Sequence, residues 1–158
     1  MDDLIKLNRR IAAHWLGNLD ADHEEYLRYT SVCLGQFPHR AAALAQVLAR
    51  AKQEHHNCLP VAKLNRQYLR FARLAAKDVA AGKLEMLVRL GLTLEQTELL
   101  GSLTNDAVNR LAFGWDGAII QFARHPFILG VALNVHAAQQ HATAFVATRI
   151  SSKTEMRS

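Results

Sequence analysis

This 158-residue sequence has little of what several protein classes require. No apolar run approaches the roughly 18 residues that a membrane-spanning helix needs. Only two cysteines occur, Cys33 and Cys58, which excludes a disulfide framework and an all-cysteine zinc site and suits a reducing compartment. Eight glycines and three prolines are few, which favours long helices over many turns. The start, Met1-Asp2-Asp3-Leu4, lacks the basic residues and apolar run of a signal peptide, so a cytoplasmic location is expected. There is no Gly-rich phosphate loop. Only five of the 14 acids lie beyond residue 85, and no Ser/His/Asp triad can be assembled. No constellation argues for an enzyme or a cofactor.

What is present is a globular composition, 50% apolar and 21% charged, in a length that suits one domain or one domain with an extension. The helical period dominates. Leu4, Ile5, Ile11, Ala12, Trp15 and Leu16 share a face over residues 2–16, with Gly17-Asn18 as a stop. Asp20 is an N-cap for a second helix running to about Leu34, broken by Gly35 and Pro38. A third, Ala-rich helix follows from Pro38 to about His56. Asn57-Cys58-Leu59-Pro60 is the clearest joint, and it sets apart residues 1–57 from a core over 58–150. A fourth helix covers 60–81 and stops at Gly82. A turn or two then leads to Leu90, with Gly91 as the C′ glycine. Thr93 and Gln96 form a capping box, Thr104 caps the next helix, and 118–122 is the only extended segment expected. Pro126 opens a last helix to Ile150, and 151–158 is a polar tail. The expected fold class is an all-α bundle of about seven helices with a dimeric core.

The charge is patterned. Lys plus Arg is 19 against 14 acids, a formal +5, and residues 58–83 hold six bases against one acid, so this segment equals the whole excess. Lys63, Arg66, Arg70, Arg73 and Lys77 are spaced 3, 4, 3, 4 and fall within an arc of roughly 80° on the fourth helix. Neighbouring like charges at that spacing each cost about 0.2–0.5 kcal/mol, and a solvated face normally mixes signs. The stripe suits phosphates or an acidic protein surface. It is also compatible with a plain solvated face, or with docking of the acidic cluster Asp20, Asp22, Glu24 and Glu25. The helices flanking Gly101-Ser102-Leu103-Thr104, with Arg110 late in the second, look like a helix-turn-helix, although any capped helical hairpin does. His55-His56 with Cys58, and His136 with His141, lack metal-ligand spacing, so no metal site is expected.

From about Leu59 the chain resembles the FlhD family, the partner subunit of the FlhDC flagellar master regulator. The resemblance is carried by Leu64-Asn65, Tyr68-Leu69 and Ala72, then by Lys83 with Met86-Leu87-Val88-Arg89-Leu90-Gly91-Leu92. It continues through Leu99-Leu100, Ser102-Leu103-Thr104 and Arg110-Leu111-Ala112, and ends with Val135, Gln139-Gln140, His141 and Thr148-Arg149-Ile150. It implies an α-helical homodimer that binds an FlhC-type partner, the pair activating promoters of flagellar or conjugative-transfer genes. It also implies partner contacts at Arg89, Val135 and His141. Residues 1–57 have no counterpart in short flagellar members. The basic stripe is not a family feature, so the resemblance does not account for it.

These readings combine into an expected transcriptional regulator subunit without enzymatic activity, nucleoid-associated in the cytoplasm. It would bind promoter DNA through a complex with an FlhC-type subunit and help recruit RNA polymerase. The DNA contacts expected are Lys63, Arg66, Arg70, Arg73, Lys77 and Arg110. The alternative is a protein-binding module that sequesters such a partner without touching DNA.

Overall fold

Acidic Asp2 and Asp3 sit in the first turn of α1 (Asp2–Leu16), where the helix dipole favours negative charge. Leu4, Leu7, Asn8, Ile11 and Ala12 are its buried residues, the i, i+3, i+4 spacing of a helix with one packed face. The helix stops at Gly17, whose N–H still donates to the Ala13 carbonyl at 2.9 Å and whose positive φ of 77° turns the following chain out of the helix. The structure is a computed structural model that describes residues 2–50 and 59–124. The expected last helix (126–150), the tail, His55, His56, Cys58 and the boundary at 57/58 lie outside the described residues.

Among the described residues the chain is all-α, with seven helices and one two-stranded sheet. After α1 come α2 (Ala21–Tyr29), β1 (Gly35–Gln36), α3 (Ala41–Arg50), α4 (Pro60–Ala80), α5 (Glu85–Leu90), α6 (Leu94–Ser102), α7 (Asn105–Gly114) and β2 (Gln121–Phe122). No described helix is long and apolar enough to cross a membrane. The described chain divides into two compact units, one of residues 2–36, 89–91 and 122–124, the other of 37–50, 59–88 and 92–121.

In the first unit α1 packs on α2. Asp20 caps α2 as expected, accepting from the His23 N–H at 3.0 Å while His23 Nδ1 reaches back towards the Asp20 N–H. The helix ends at Tyr29, five residues before the expected Leu34. Thr30 turns to an extended conformation and its hydroxyl donates to the Tyr26 carbonyl at 2.9 Å. The next residues find partners outside any helix. Asn8 Nδ2 donates to the Val32 carbonyl and Asn8 Oδ1 accepts from the Leu34 N–H, both at 2.8 Å. The Cys33 N–H donates to the Arg89 carbonyl at 2.8 Å, and the Ala123 N–H to the Leu34 carbonyl at 3.0 Å. Val32, Cys33 and Leu34 are all buried. A buried extended segment needs its backbone groups paired, and these bonds pair the Val32 and Leu34 carbonyls and the Cys33 and Leu34 N–H groups. Gly35 and Gln36 continue as β1, an extended segment the sequence pattern does not announce.

In the second unit α4 packs against α6 and α7, and α7 also packs on α3. Pro60 opens α4, where its missing N–H costs nothing. The apolar face of α4 holds Ala62, Leu64, Asn65, Tyr68, Leu69, Ala72, Ala75 and Ala76. Small residues there allow close approach: a Cβ added at Gly101 on α6 would lie 3.2 Å from Ala76 Cβ. The caps read from the sequence are present. Thr93 accepts from the Gln96 N–H at 3.1 Å and Gln96 Oε1 accepts from the Thr93 N–H at 3.0 Å. Thr104 accepts from the Ala107 N–H at 3.1 Å. α3 starts at Ala41 rather than Pro38. Phe37 before it stacks on Tyr68, and the Phe37 carbonyl accepts from Gln96 Nε2 at 2.7 Å. These bonds hold 37–40 outside the helix.

Candidate nucleic-acid interface

The five cations of α4 lie on one arc, but the fold treats them in two groups. With about 100° per residue, Arg66 and Arg73 border the buried face that ends at Ala62. Both are half-buried and both turn to α7. The Arg66 guanidinium lies 5.9 Å from the centroid of the Phe113 ring, within cation–π range. Arg73 Nη1 donates to Asn105 Oδ1. Lys63, Arg70 and Lys77 are exposed, and none of them makes an ion pair among the described residues. They are seven residues apart, hence about 10.5 Å apart along one line of the helix. Leu74, 63% exposed, stands between Arg70 and Lys77.

This division explains how five cations are tolerated on one face. The like pairs at three and four residues all involve Arg66 or Arg73, and those two find a ring and an amide on α7. The remaining three are about a Debye length apart at 0.1 M salt, so their mutual repulsion is largely screened.

The acids of the 20–25 cluster are partly in use inside the first unit. Glu24 holds Arg9 in a fork, with Nε 3.0 Å from both carboxylate oxygens and Nη2 2.6 Å from Oε2. Asp20 caps α2, and the cap bond from the His23 N–H holds its carboxyl below the usual range. Asp22 and Glu25 are not in any ion pair among the described residues.

The expected helix-turn-helix is a pair of real helices, α6 and α7, joined through Leu103 and Thr104. α7 is covered by both α4 and α3. A recognition helix presents its N-terminal residues to base edges. Here those residues are Asn105, which accepts from Arg73, and Asp106, an acid. Arg110 donates from Nη2 to the Leu48 carbonyl on α3, and its Nη1 lies 3.8 Å from Asp106 Oδ2. It ties α7 to α3 within the unit.

Arg89 sits at the end of α5 before Gly91, whose φ is +65°. Its carbonyl is the acceptor for Cys33, and its side chain is half-buried. Val135 and His141 lie outside the described residues. Among the described residues no group of three or more His, Cys, Asp or Glu side chains is placed to hold a metal ion. Cys33 is a free, buried thiol whose pKa burial pushes up to about 12. Two buried asparagines, Asn8 and Asn65, carry structural bonds that the sequence pattern left unremarked. The signal available was a polar residue at a core position of an apolar stripe.

No protein family, curated protein or solved structure matches the chain.

Proposed function

We propose that the protein is a transcriptional regulator subunit of the FlhD type, which acts with an FlhC-type partner to grip promoter DNA and activate transcription of flagellar or conjugative-transfer genes. The observation that carries the reading is where the residues of the resemblance fall. Leu64, Asn65, Tyr68, Leu69 and Ala72 are all buried on α4, and Leu100, Leu103, Leu111 and Ala112 are buried on α6, α7 and the joint between them. They are core residues, the kind that would specify a shared helical scaffold. The Arg89-Leu90-Gly91 motif closes α5 with a left-handed glycine, and the half-buried Arg89 is the residue of that turn to which the resemblance assigns the partner contact. A homodimer built on this scaffold is part of the proposal, as are a cytoplasmic, nucleoid-associated location and contact with RNA polymerase. The chemistry is non-enzymatic: binding energy, rather than bond making, is what the protein supplies.

The test is co-expression with an FlhC-type protein, affinity purification, and a promoter shift assay on the product. An activator subunit co-purifies and shifts DNA together with its partner. A factor that sequesters the partner co-purifies and abolishes the partner's own shift. Absence of co-purification removes the proposal.

A further inference from the structure

We infer that the line Lys63, Arg70, Lys77 on α4 is a contact for the phosphate backbone of double-stranded DNA, made by this chain itself, with no reading of bases and no preference for single strands. The inference deepens the reading above, since it names what this subunit would add to a DNA-bound complex, but it rests on different residues.

Four observations carry it. The three cations stand on one ridge of a 21-residue helix, exposed, and the one acid of that helix, Asp78, lies about 60–100° around from them and pairs with Lys83. They span about 21 Å, a length over which duplex DNA presents about 12 phosphate charges. The alternating arginines, Arg66 and Arg73, are held against α7, so the ridge is backed by a packed helix pair rather than a loop. Finally, the ridge offers no exposed aromatic ring. Single-stranded nucleic acid is held by stacking on such rings, whereas a duplex backbone needs only positive charge and reach. An acidic protein partner fits less well. A stable protein interface buries about 800 Å² on each side around an apolar, aromatic-rich centre, and among the described residues this ridge offers only two large exposed apolar side chains, Leu74 and, one turn before Lys63, Leu59. The helix flank that carries α7 is likewise unsuited to base reading, because Arg110 and Asn105 are engaged inside the fold.

The experiment uses the full chain alone, with a fluorescent duplex of about 20 base pairs of arbitrary sequence, its single strand, and poly-glutamate as probes. Binding is followed by anisotropy from 50 to 200 mM salt. Three phosphate contacts give a slope of log affinity against log salt of about −2.7, a loss of about 40-fold over that range. The combined variant Lys63→Gln/Arg70→Gln/Lys77→Gln changes only exposed positions, and it should flatten the slope to near zero. Lys63→Arg/Arg70→Lys/Lys77→Arg should retain it. Arg66→Gln/Arg73→Gln should leave the slope within about half a unit of the parent. A parent slope shallower than about −1, or equal loss in the two Gln variants, overturns the inference. So does single-strand binding as tight as duplex binding, or tighter binding of poly-glutamate, which would point to an acidic protein instead. A chain that fails here yet still co-purifies with an FlhC-type protein overturns this inference and leaves the proposed function standing. A chain that passes here and does not co-purify does the reverse.

Discussion

Asn8 in α1 and Asn65 in α4 act in the same way, one in each unit. Both are fully buried. Asn8 donates from Nδ2 to the carbonyl of Val32 and accepts at Oδ1 from the N–H of Leu34. Asn65 donates to the carbonyl of Gly117 at 2.9 Å and accepts from the N–H of Ile119 at 2.8 Å. Each amide grips residue j and residue j+2 of a non-helical segment, as a neighbouring strand would. The segments are 32–34 and 117–119, and each leads towards one of the short strands, β1 and β2. The one sheet among the described residues, two strands of two residues each, does not extend to these backbone groups, and a buried amide supplies the missing donor and acceptor.

Asn65→Leu should therefore be among the most damaging substitutions on α4. It strands a buried carbonyl and a buried N–H, each worth about 1–3 kcal/mol when left unpaired, so a loss of about 3 kcal/mol is expected by urea melting. Asn65→Asp separates the two bonds. The carboxylate still accepts from Ile119 but cannot donate to Gly117, and burial disfavours its charge. Its folded pKa is raised above the unfolded value near 3.9. The folded state then binds the extra proton, so stability of this variant should rise as pH falls from 7 towards 5, relative to the parent. A difference that is flat with pH would show that the site is open to water.

Gly91 closes α5 at a φ of +65°, and a Cβ added there meets nothing within 4 Å. The cost of Gly91→Ala is thus one of backbone conformation alone, about 1 kcal/mol. Asn tolerates the left-handed region better, so Gly91→Asn should lose less than Gly91→Ala in thermal melts. Equal losses would mean that the side chain, rather than the backbone, is at fault.

Arg110 was expected from the sequence to touch DNA, and the fold instead gives its guanidinium to the Leu48 carbonyl. A hydrogen bond from a charged donor contributes about 1.5–3 kcal/mol. Arg110→Ala should lower stability by about that much and leave the salt slope of DNA binding unchanged. A parent-like melting curve with a shallower slope would return Arg110 to the interface.

The helices were largely legible in the sequence because their signals are local. Asp20, Thr93 and Thr104 announce their caps, Gly17, Gly82 and Gly91 announce their stops, and the 3,4 spacing announces the buried face of α4. The segment 30–34 was not legible as extended, since Val32, Cys33 and Leu34 continue the apolar pattern of α2. What draws them out is Asn8, which lies 24 and 26 residues away, and no local pattern encodes that. The cation stripe was legible as a set of five. Its division into three residues that make no ion pair among the described residues and two engaged ones was not, because it depends on the ring and the amide that α7 supplies.

Cys33 tests whether that extended segment is closed in solution. Its thiol is buried and its pKa is pushed up to about 12, so almost no thiolate exists at pH 8. In a Cys58→Ser background the native protein should react with a thiol reagent only as fast as it opens, and denaturant should make the reaction prompt. Prompt labelling without denaturant would mean that residues 32–34 are exposed.

His39 gives the second unit a pH dependence whose sign is fixed by its surroundings. The ring lies 4.3 Å from Trp115 and 5.3 Å from Phe37 between centroids. Burial lowers its pKa, an effect only partly opposed by a hydrogen bond with the Ile119 backbone. A histidine whose folded pKa lies below the unfolded value near 6.5 takes up protons more readily when unfolded. The stability it leaves intact is present above pH 6.5 and is lost as pH falls through the folded value. Urea midpoints should therefore drop between pH 7 and pH 5 more steeply in the parent than in His39→Gln, which cannot titrate. In a Trp15→Phe background, which removes the tryptophan beside His14, Trp115 provides the readout near His39: its fluorescence should shift over the same pH interval with His39 present and stay constant in His39→Gln. A parent and a variant that fall together would assign the acid sensitivity to other groups.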